Sequence, residues 1–411
     1  MPRLLILVPT ASYRAGAFVR AAQQLEVDIT LASEKPSSLS QYHPTDLITL
    51  DFDDPQQSAA AMKVFVESHP INAVVGVDDQ VTVAASAIAA HLKLPHNPVE
   101  SAHTTRNKLE MRTRLSNAGV SVPRFQAISV IEEPRAAADT TDYPVVLKPL
   151  MMAASRGVIR ADTPDAFVAA FQKIAEIIVA SDAPTDSASR NSILVEQYVP
   201  GWEVAVEGIL TNGRLNVFAI FDKPDPLQGP YFPETIYVTP SRLPRATQTA
   251  IEAMTQAAVN AIGLRHGPIH AEIRGVDNHL WFIEIAARSI GGYCSKVLRF
   301  EGEYSLEDVI VRHALDPEFT LPDRLQEAAG VMMLQAPRSG RFKEALGLDD
   351  ARNTPRVDEV IISAHTGQTL IPLPEGFLYL GFIFARAESP EKVEAALRAA
   401  YNELEFVIET T

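Results

Sequence analysis

His270-Ala271-Glu272-Ile273-Arg274, then Gly275-Val276-Asp277-Asn278-His279, then Leu280-Trp281-Phe282-Ile283-Glu284-Ile285-Ala286 is the stretch on which the reading of this chain turns. Two alternating apolar runs flank a turn built from Gly, Asp and Asn, which is the pattern of a β-hairpin. With Asn278 at the centre of the turn, Glu272 and Glu284 become directly opposed, His270 meets Ala286, and Arg274 meets Phe282. Ala271, Ile273, Ile283 and Ile285 then share the other face, as a period of two requires. Opposed Cβ atoms lie only about 4.5–5.5 Å apart, and like charges so placed destabilise a sheet.

A fold keeps such a pair when a proton is shared, when a basic side chain intervenes, or when a divalent cation bridges the acids. Mg²⁺ suits a site that also binds phosphate, because it accepts one or two carboxylates and completes its shell with phosphate and water oxygens. The competing reading is two glutamates on a wet face with Arg274 as counter-ion. The continuation of the strand favours the site, because Arg288 extends it and leads into Ser289-Ile290-Gly291-Gly292. A cation beside a glycine-rich turn can hold developing negative charge and admit close backbone approach.

Working upstream, Lys148 closes the apolar strand 145–149, and Pro149 turns the chain out of the sheet, so the ammonium is expected at a strand end facing a cavity. The loop Ala153-Ala154-Ser155-Arg156-Gly157 offers amides, a hydroxyl and a guanidinium to phosphate oxygens. Ile193-Leu194-Val195-Glu196-Gln197-Tyr198-Val199-Pro200-Gly201-Trp202-Glu203 reads as strand, break and strand. Its backbone can read an adenine edge, and Glu203 can accept from ribose hydroxyls. A strand-end lysine and solvent-facing glutamates are the plain alternatives.

Further out, residues 1–100 alternate strands (4–8, 27–31, 73–77) with helices (15–25, 59–68, 81–92), the signature of a parallel sheet covered on both faces. No G-x-G-x-x-G follows the first strand and no G-x-x-x-x-G-K-[ST] occurs anywhere, which argues against a dinucleotide-binding oxidoreductase and a P-loop. A polar helix is expected over 101–117, and a helix capped by Thr163-Pro164 runs to about 180. Residues 181–191 read as a linker. A hairpin turns at Thr211-Asn212-Gly213, and a helix spans 245–262. Strand candidates at 330–335, 357–363 and 378–386 and a helix over 390–401 form a smaller C-terminal unit.

At 411 residues, 46% hydrophobic and 21% charged, the chain has material for several cores. Its net charge of −15 excludes a generally basic surface for nucleic acid or anionic membrane. The apolar run after Met1-Pro2-Arg3 stops at Pro9, too short for a secretory core, and no stretch reaches membrane-spanning length. The one cysteine, Cys294, forms no internal disulfide and reads as a buried small hydrophobe. A soluble, cytoplasmic protein is expected.

In their order along the chain, Lys108, Lys148, Glu196, Glu203, Glu272, Glu284 and Arg288 resemble the signature set of the ATP-grasp superfamily, which includes D-alanine–D-alanine ligase and biotin carboxylase. The resemblance spans nearly the whole chain. It implies an α/β and α+β architecture, the ATP-grasp fold with an N-terminal pre-ATP-grasp parallel-sheet domain (1–100), an ATP-grasp domain (101–315, lid about 120–200) and a small C-terminal α+β domain (316–411). It implies ATP and Mg²⁺, with Mn²⁺ as an alternative metal. Lys108, Lys148, Ser155, Arg156 and Gly157 would contact phosphates. Glu196, Gln197, Tyr198 and Val199 would read adenine, Glu203 ribose. Glu272 and Glu284 would hold the metal, and Arg288 would stabilise an acyl phosphate and its tetrahedral adduct.

Two features depart from the family: Ala286 stands where many members carry a metal-binding Asn, and the lid loop has only Gly157. The run Glu284-Ile-Ala-Ala-Arg288-Ser-Ile-Gly-Gly292 and the segment Ser12-Tyr13-Arg14 are similar to the bacterial L-amino-acid (dipeptide) ligase branch. The implied activity is ADP-forming carboxylate–amine ligation on small-molecule amino-acid-like substrates, with a homodimer expected by analogy. Formate- or bicarbonate-using relatives of purine or biotin-carboxylase type, and a non-catalytic nucleotide-binding regulator, are the alternatives. Substrate contacts are expected from Arg288, Gly291, Gly292 and Tyr293, and from Met332, Met333 and Arg338 in the C-terminal unit.

Overall fold

The structure is a computed structural model that describes every residue except 11, 38–42, 44, 182–190, 377 and 411. The expected linker at 181–191 therefore lies almost wholly outside the described residues. The chain begins with β1 (Arg3–Leu7), β2 (Asp28–Ser33), β3 (Leu47–Thr49) and β4 (Ala73–Gly76), a parallel sheet of order β3-β2-β1-β4. Strand β1 is buried on both sides, which is why it reads as a continuous apolar run. Leu5 and Leu7 pack with Met62 and Ile88 of the helices Pro55–Ser68 and Thr82–His91. Leu4 and Ile6 face Phe18 and a helix from far along the chain, Leu306–Leu315.

The expected helix over 101–117 is two helices, Val99–Arg106 and Lys108–Asn117, broken at Asn107. Asn107 leaves helical geometry at φ −102°, ψ 105°, and its side chain accepts from the amides of Leu109 and Glu110 to cap the second helix. That break places Lys108 at the first helical position.

A second sheet, β5 (Phe125–Ser129), β6 (Val145–Pro149), β7 (Ile159–Ala161) and β8 (Ser192–Gln197), has the order β5-β8-β6-β7. One face packs Val145, Leu147, Ile193 and Val195 on Phe167, Phe171 and Ile174 of the helix Pro164–Val179. Thr163 caps this helix through its hydroxyl, as its sequence predicts. The alternate residues, Val146, Lys148 and Glu196, turn to the other face.

The third sheet starts with β9 (Trp202–Thr211), β10 (Arg214–Lys223), β11 (Ile236–Thr239), β12 (Gly267–Val276) and β13 (His279–Ala286). After a two-stranded ribbon of β14 (Arg299–Phe300) and β15 (Tyr304–Ser305), the chain adds β16 (Ala328–Leu334), β17 (Gly340–Leu346), β18 (Val357–Ile362), β19 (Thr369–Leu370), β20 (Gly381–Ala387) and β21 (Glu405–Glu409). Strands β16, β20 and β18 extend the third sheet to eight strands, β13-β12-β9-β10-β11-β16-β20-β18. The C-terminal strand candidates thus continue the central sheet, while β17, β19 and β21 form a small sheet beside it. On its inner face Val204, Ala271, Ile273, Phe282 and Ile285 pack on Ile251, Ala258 and Val259 of the helix Arg245–Ile262.

Candidate functional site

The Glu272–Glu284 pairing is as expected, and the route to it differs. The turn has two residues, Asp277 and Asn278, so Val276 pairs with His279 and Arg274 with Trp281 rather than Phe282. A bulge between Glu272 and Ile273 restores the offset, bringing Glu272 opposite Glu284 and His270 opposite Ala286. The extra residue is Ile283, which faces the cleft rather than the core, and Phe282 takes the core position that the sequence pattern gives to Ile283.

Between the lid sheet and the central sheet lies a cleft of about 590 Å³. Lys108, Lys148, Ser155, Glu196, Gln197, Tyr198, Val199, Glu203, Glu272, Glu284, Arg288, Gly291, Gly292 and Tyr293 all line it. Residues more than 180 positions apart converge there because two sheets present alternate side chains to one gap.

Arg156 and Gly157 do not line the cleft. Arg156 Nε donates to Glu375 O at 2.9 Å and the Gly157 amide to Pro374 O at 2.9 Å, so this half of the loop is tied to the C-terminal unit. The preceding Ala154 and Ser155 adopt left-handed backbone at φ 55° and 57° and bring Met152, Ala153, Ala154 and Ser155 to the cleft wall. Of the three residues expected from the C-terminal unit, Met333 reaches the cleft. Met332 packs in the core on the other side of β16, and Arg338 donates to Ile408 O at 2.7 Å.

At the lid side, Glu196 is buried between two cations, Lys148 Nζ at 2.6 Å from Oε2 and Arg112 Nε on Oε1. Burial pushes the Glu196 carboxyl up, but the charges of Arg112 and Lys148 overcome it and hold the group down to about 2. The hinge that follows admits only glycine at Gly201. Its φ is +96°, and a Cβ there would stand 2.1 Å from Gly275 O. The amides of Gln197 and Tyr198 already donate to Arg124 O and Pro144 O. This leaves the carbonyls of the hinge and Val199 to meet whatever enters the cleft from this side.

On the sheet side the acids are ordered by a residue that the sequence analysis misses. Lys223, at the end of β10, places its Nζ 2.6 Å from Glu203, 3.1 Å from Glu234 and 2.9 Å from Glu272. These three carboxylates have the proximity of a metal cage, with ligand atoms within 4.8 Å of one another, but the lysine ammonium occupies their focus. Burial favours the neutral amine, and the three carboxylates outweigh it, so the Lys223 ammonium is held well above its ordinary range. Glu234 is raised to about 7, first by burial and then, against the pull of Lys223, by the charges of Glu272 and Glu203. Glu272 itself is held well below the carboxylate range, because Lys223 and His270 overcome its burial.

Glu284, the opposed acid, is one-third exposed and lies 3.4 Å from Lys108 Nζ. Two facing carboxylates, hard oxygen donors each paired with a lysine ammonium, fit Mg²⁺ better than a softer metal. Ala286 also lines the cleft and supplies no ligand atom there.

Arg288 donates from Nε and Nη2 to Asp79 Oδ2 at 3.1 and 2.8 Å. Burial disfavours its charge, and Asp79 more than compensates, so it stays protonated. The loop after it is pinned from both sides. Glu207, fully buried, accepts from the Ile290 amide at 3.0 Å, and Arg14 bonds the Ser289 hydroxyl and carbonyl. Tyr13 OH accepts from the Gly292 amide at 2.5 Å.

Comparison with known proteins bears directly on this geometry. Residues 19–96 match the family described as ATP-grasp N-terminal domain, 141–297 the ATP-grasp domain, and 332–409 the L-amino acid ligase C-terminal domain 2. The chain carries an ATP-grasp domain. The crystal structure of L-amino acid ligase from Bacillus licheniformis superposes with a TM-score of 0.84 at 25% identity, covering 100% of this chain and 99% of that one. Alanine–anticapsin ligase of Bacillus subtilis is 27% identical over 255 residues, 59% of this chain and 53% of that protein. Carnosine synthase 1 of Gallus gallus is 33% identical over 156 residues, 37% of this chain and 16% of that protein. The aligned stretch spans about half the length of the alanine–anticapsin ligases. Among the described residues no helix of this ATP-grasp protein is long and apolar enough to cross a membrane.

Proposed function

We propose that the chain is an ATP-dependent, ADP-forming carboxylate–amine ligase that makes an amide or peptide bond through an acyl phosphate on amino-acid-like substrates. The observation that carries this reading is the opposed pair Glu272 and Glu284 in one cleft with Lys108, Lys148 and Arg288. That arrangement supports a triphosphate lying between the two sheets, with cations on its oxygens and carboxylates to hold its metal. Mg²⁺ bound there would neutralise charge between the β- and γ-phosphates.

A substrate carboxylate oxygen attacks the γ-phosphorus, the bond to the β-phosphate oxygen breaks, and ADP leaves. An amine nitrogen then attacks the acyl carbon, the carbon–oxygen bond to phosphate breaks, and a proton is lost from nitrogen. Arg288, held protonated and aimed by Asp79, is positioned to stabilise the negative charge of both steps. Neither step asks for a protein nucleophile. Cys294, buried with its thiol pushed up first by burial and then by Glu234 and Glu207, remains unreactive.

The test is ATP-dependent phosphate release with a panel of amino-acid pairs, with the coupled product identified by mass. Release with formate or bicarbonate alone would assign the cleft to the purine or carboxylase type. Nucleotide binding without release on any of these would make the protein a regulator.

A further inference from the structure

Arg112 is a charge at the lid side of the cleft to which the chemistry of acyl transfer gives no task. It lies one turn after Lys108 on the helix Lys108–Asn117, so both side chains leave the same face of that helix. Lys108 reaches the cleft, whereas Arg112 is 0% exposed and stops behind Glu196. Its Nε bonds Glu196 Oε1, and among the described residues its Nη1 and Nη2 have no hydrogen-bond partner. Glu196, itself 2% exposed, gives its other oxygen to Lys148 Nζ at 2.6 Å.

A space closed to solvent does not call for this residue. Hydrophobic side chains of similar volume often match or better a buried ion pair, and two bare guanidinium nitrogens add a desolvation cost. Nor does Glu196 need Arg112 for neutrality, because Lys148 alone balances one carboxylate. What Arg112 changes is the charge that the row presents to the cleft. From the core outward stand a guanidinium, a carboxylate and an ammonium, and the ammonium end opens on the cleft. Glu196 is ionised, its carboxyl held down to about 2. Without Arg112, Glu196 and Lys148 form a closed, neutral pair. With it the carboxylate is shared, and one positive charge remains for an anion that meets Lys148.

Resting on the nucleotide cleft of the ligase reading, we infer that Arg112 is a positioning residue for the nucleotide's phosphates. By taking one oxygen of Glu196 it leaves Lys148 a net positive charge, and so sets how much the phosphates add to the binding of adenosine.

Calorimetry with adenosine and with MgADP isolates this quantity as the ratio of the two affinities. In R112M the row is neutral, and the ratio is expected to fall by about tenfold or more, the order that a unit charge several ångströms away supplies at a protein's effective dielectric. R112K keeps the charge and should stay within about twofold of the wild type. R112M/E196Q carries one cation and no acid, the same sum as the wild type, and should recover the ratio that R112M loses. E196Q alone leaves two cations and should raise the ratio above the wild-type value, which tests the inference even where R112M yields no folded protein. A residue that only fills space would not order the ratios by charge. A wild-type ratio in folded R112M, no recovery in the double variant, or an E196Q ratio at or below the wild type would overturn the inference and leave the cleft a nucleotide site. Failure of the wild type to bind either MgADP or adenosine removes the nucleotide reading, and this inference with it.

Discussion

Lys223 shows what one side chain does for a site of this kind. Glu203, Glu234 and Glu272 come from three separate strands or loops and would repel one another without the ammonium at their focus. Removing one partner of a buried ion pair typically costs about 3–5 kcal/mol, because the remaining charge is left unpaired. Lys223→Met is therefore expected to lower the melting temperature and to raise the KM for ATP. Lys223→Arg should recover much of the first and less of the second, since a guanidinium keeps the charge and changes the geometry. Thermal melts and ATP titrations on the two variants check this; wild-type values for both in Lys223→Met would refute the role. Glu284 contrasts with it. One-third exposed and paired with Lys108 at the cleft edge, it has little structural task. Glu284→Gln should abolish phosphate release with an unchanged melt, and turnover near the wild-type level would remove Glu284 from the metal site. The acids are legible in the sequence because the hairpin is local and its period is two. Lys223 is not, since its partners lie 11 to 49 residues away. A signal is nevertheless present: Lys223-Pro224 repeats the strand-end lysine before proline that singles out Lys148-Pro149. Arg112 carries no such mark, as it is one basic residue among several on a polar helix.

At the scale of elements, the hairpin and the break at Asn107 illustrate opposite fates of local reasoning. Sequence pattern misplaces the hairpin's turn by half a register and does not foresee its bulge, yet the two errors cancel at Glu272 and Glu284. Bulges answer to twist and to the shape of the cleft, so the run of residue types around Ile283 does not announce one. The helix break is hidden for the reverse reason, because Asn is tolerated within a polar helix and only tertiary packing decides that it caps instead. The consequence is functional, since the cap orients Lys108, whose amide donates to Leu150 O at 3.1 Å and whose Nζ donates to Met152 O at 2.6 Å. Asn107→Ala removes the acceptor for two amides and is expected to cost roughly 0.5–2 kcal/mol. It should also weaken MgADP binding, because Lys108 loses its fixed starting angle. Denaturant melts and calorimetry would show both changes together, and a loss of stability with unaltered nucleotide affinity would separate the cap from the site.

Across the whole molecule, alternation of strand and helix makes the N-terminal sheet legible, while the continuity of the central sheet into the C-terminal strands is hidden, because edge-to-edge pairing across ninety or so residues leaves no local trace. The seam between the first and central sheets carries a pH-sensitive feature. Asn97 clamps the chain there, accepting from the amides of Arg265 and His266 at 2.7 and 2.9 Å and donating to His266 O at 2.8 Å. Beside it the rings of His266 and His313 stack with centroids 4.6 Å apart. Burial, then the neighbouring His313 and His96, lower His266 to about 4, and burial lowers His313 to about 4 against the opposing charge of Asp316. Both are neutral in the folded protein at pH 7. As pH falls below about 6.5 the unfolded chain takes up protons that the folded chain refuses, so the contribution of these histidines to stability declines from there down to about pH 4 and is level above about pH 6.5. Glu234, raised to about 7, works in the other direction, since the folded state binds its proton first. The contribution of the histidines is therefore read by difference. His266→Phe keeps an aromatic ring in the stack and removes one titrating group, so its melting temperature should fall less steeply than that of the wild type between about pH 6.5 and 4, with the two curves parallel above about pH 7. Parallel curves over the whole range would show that this seam does not respond to acid.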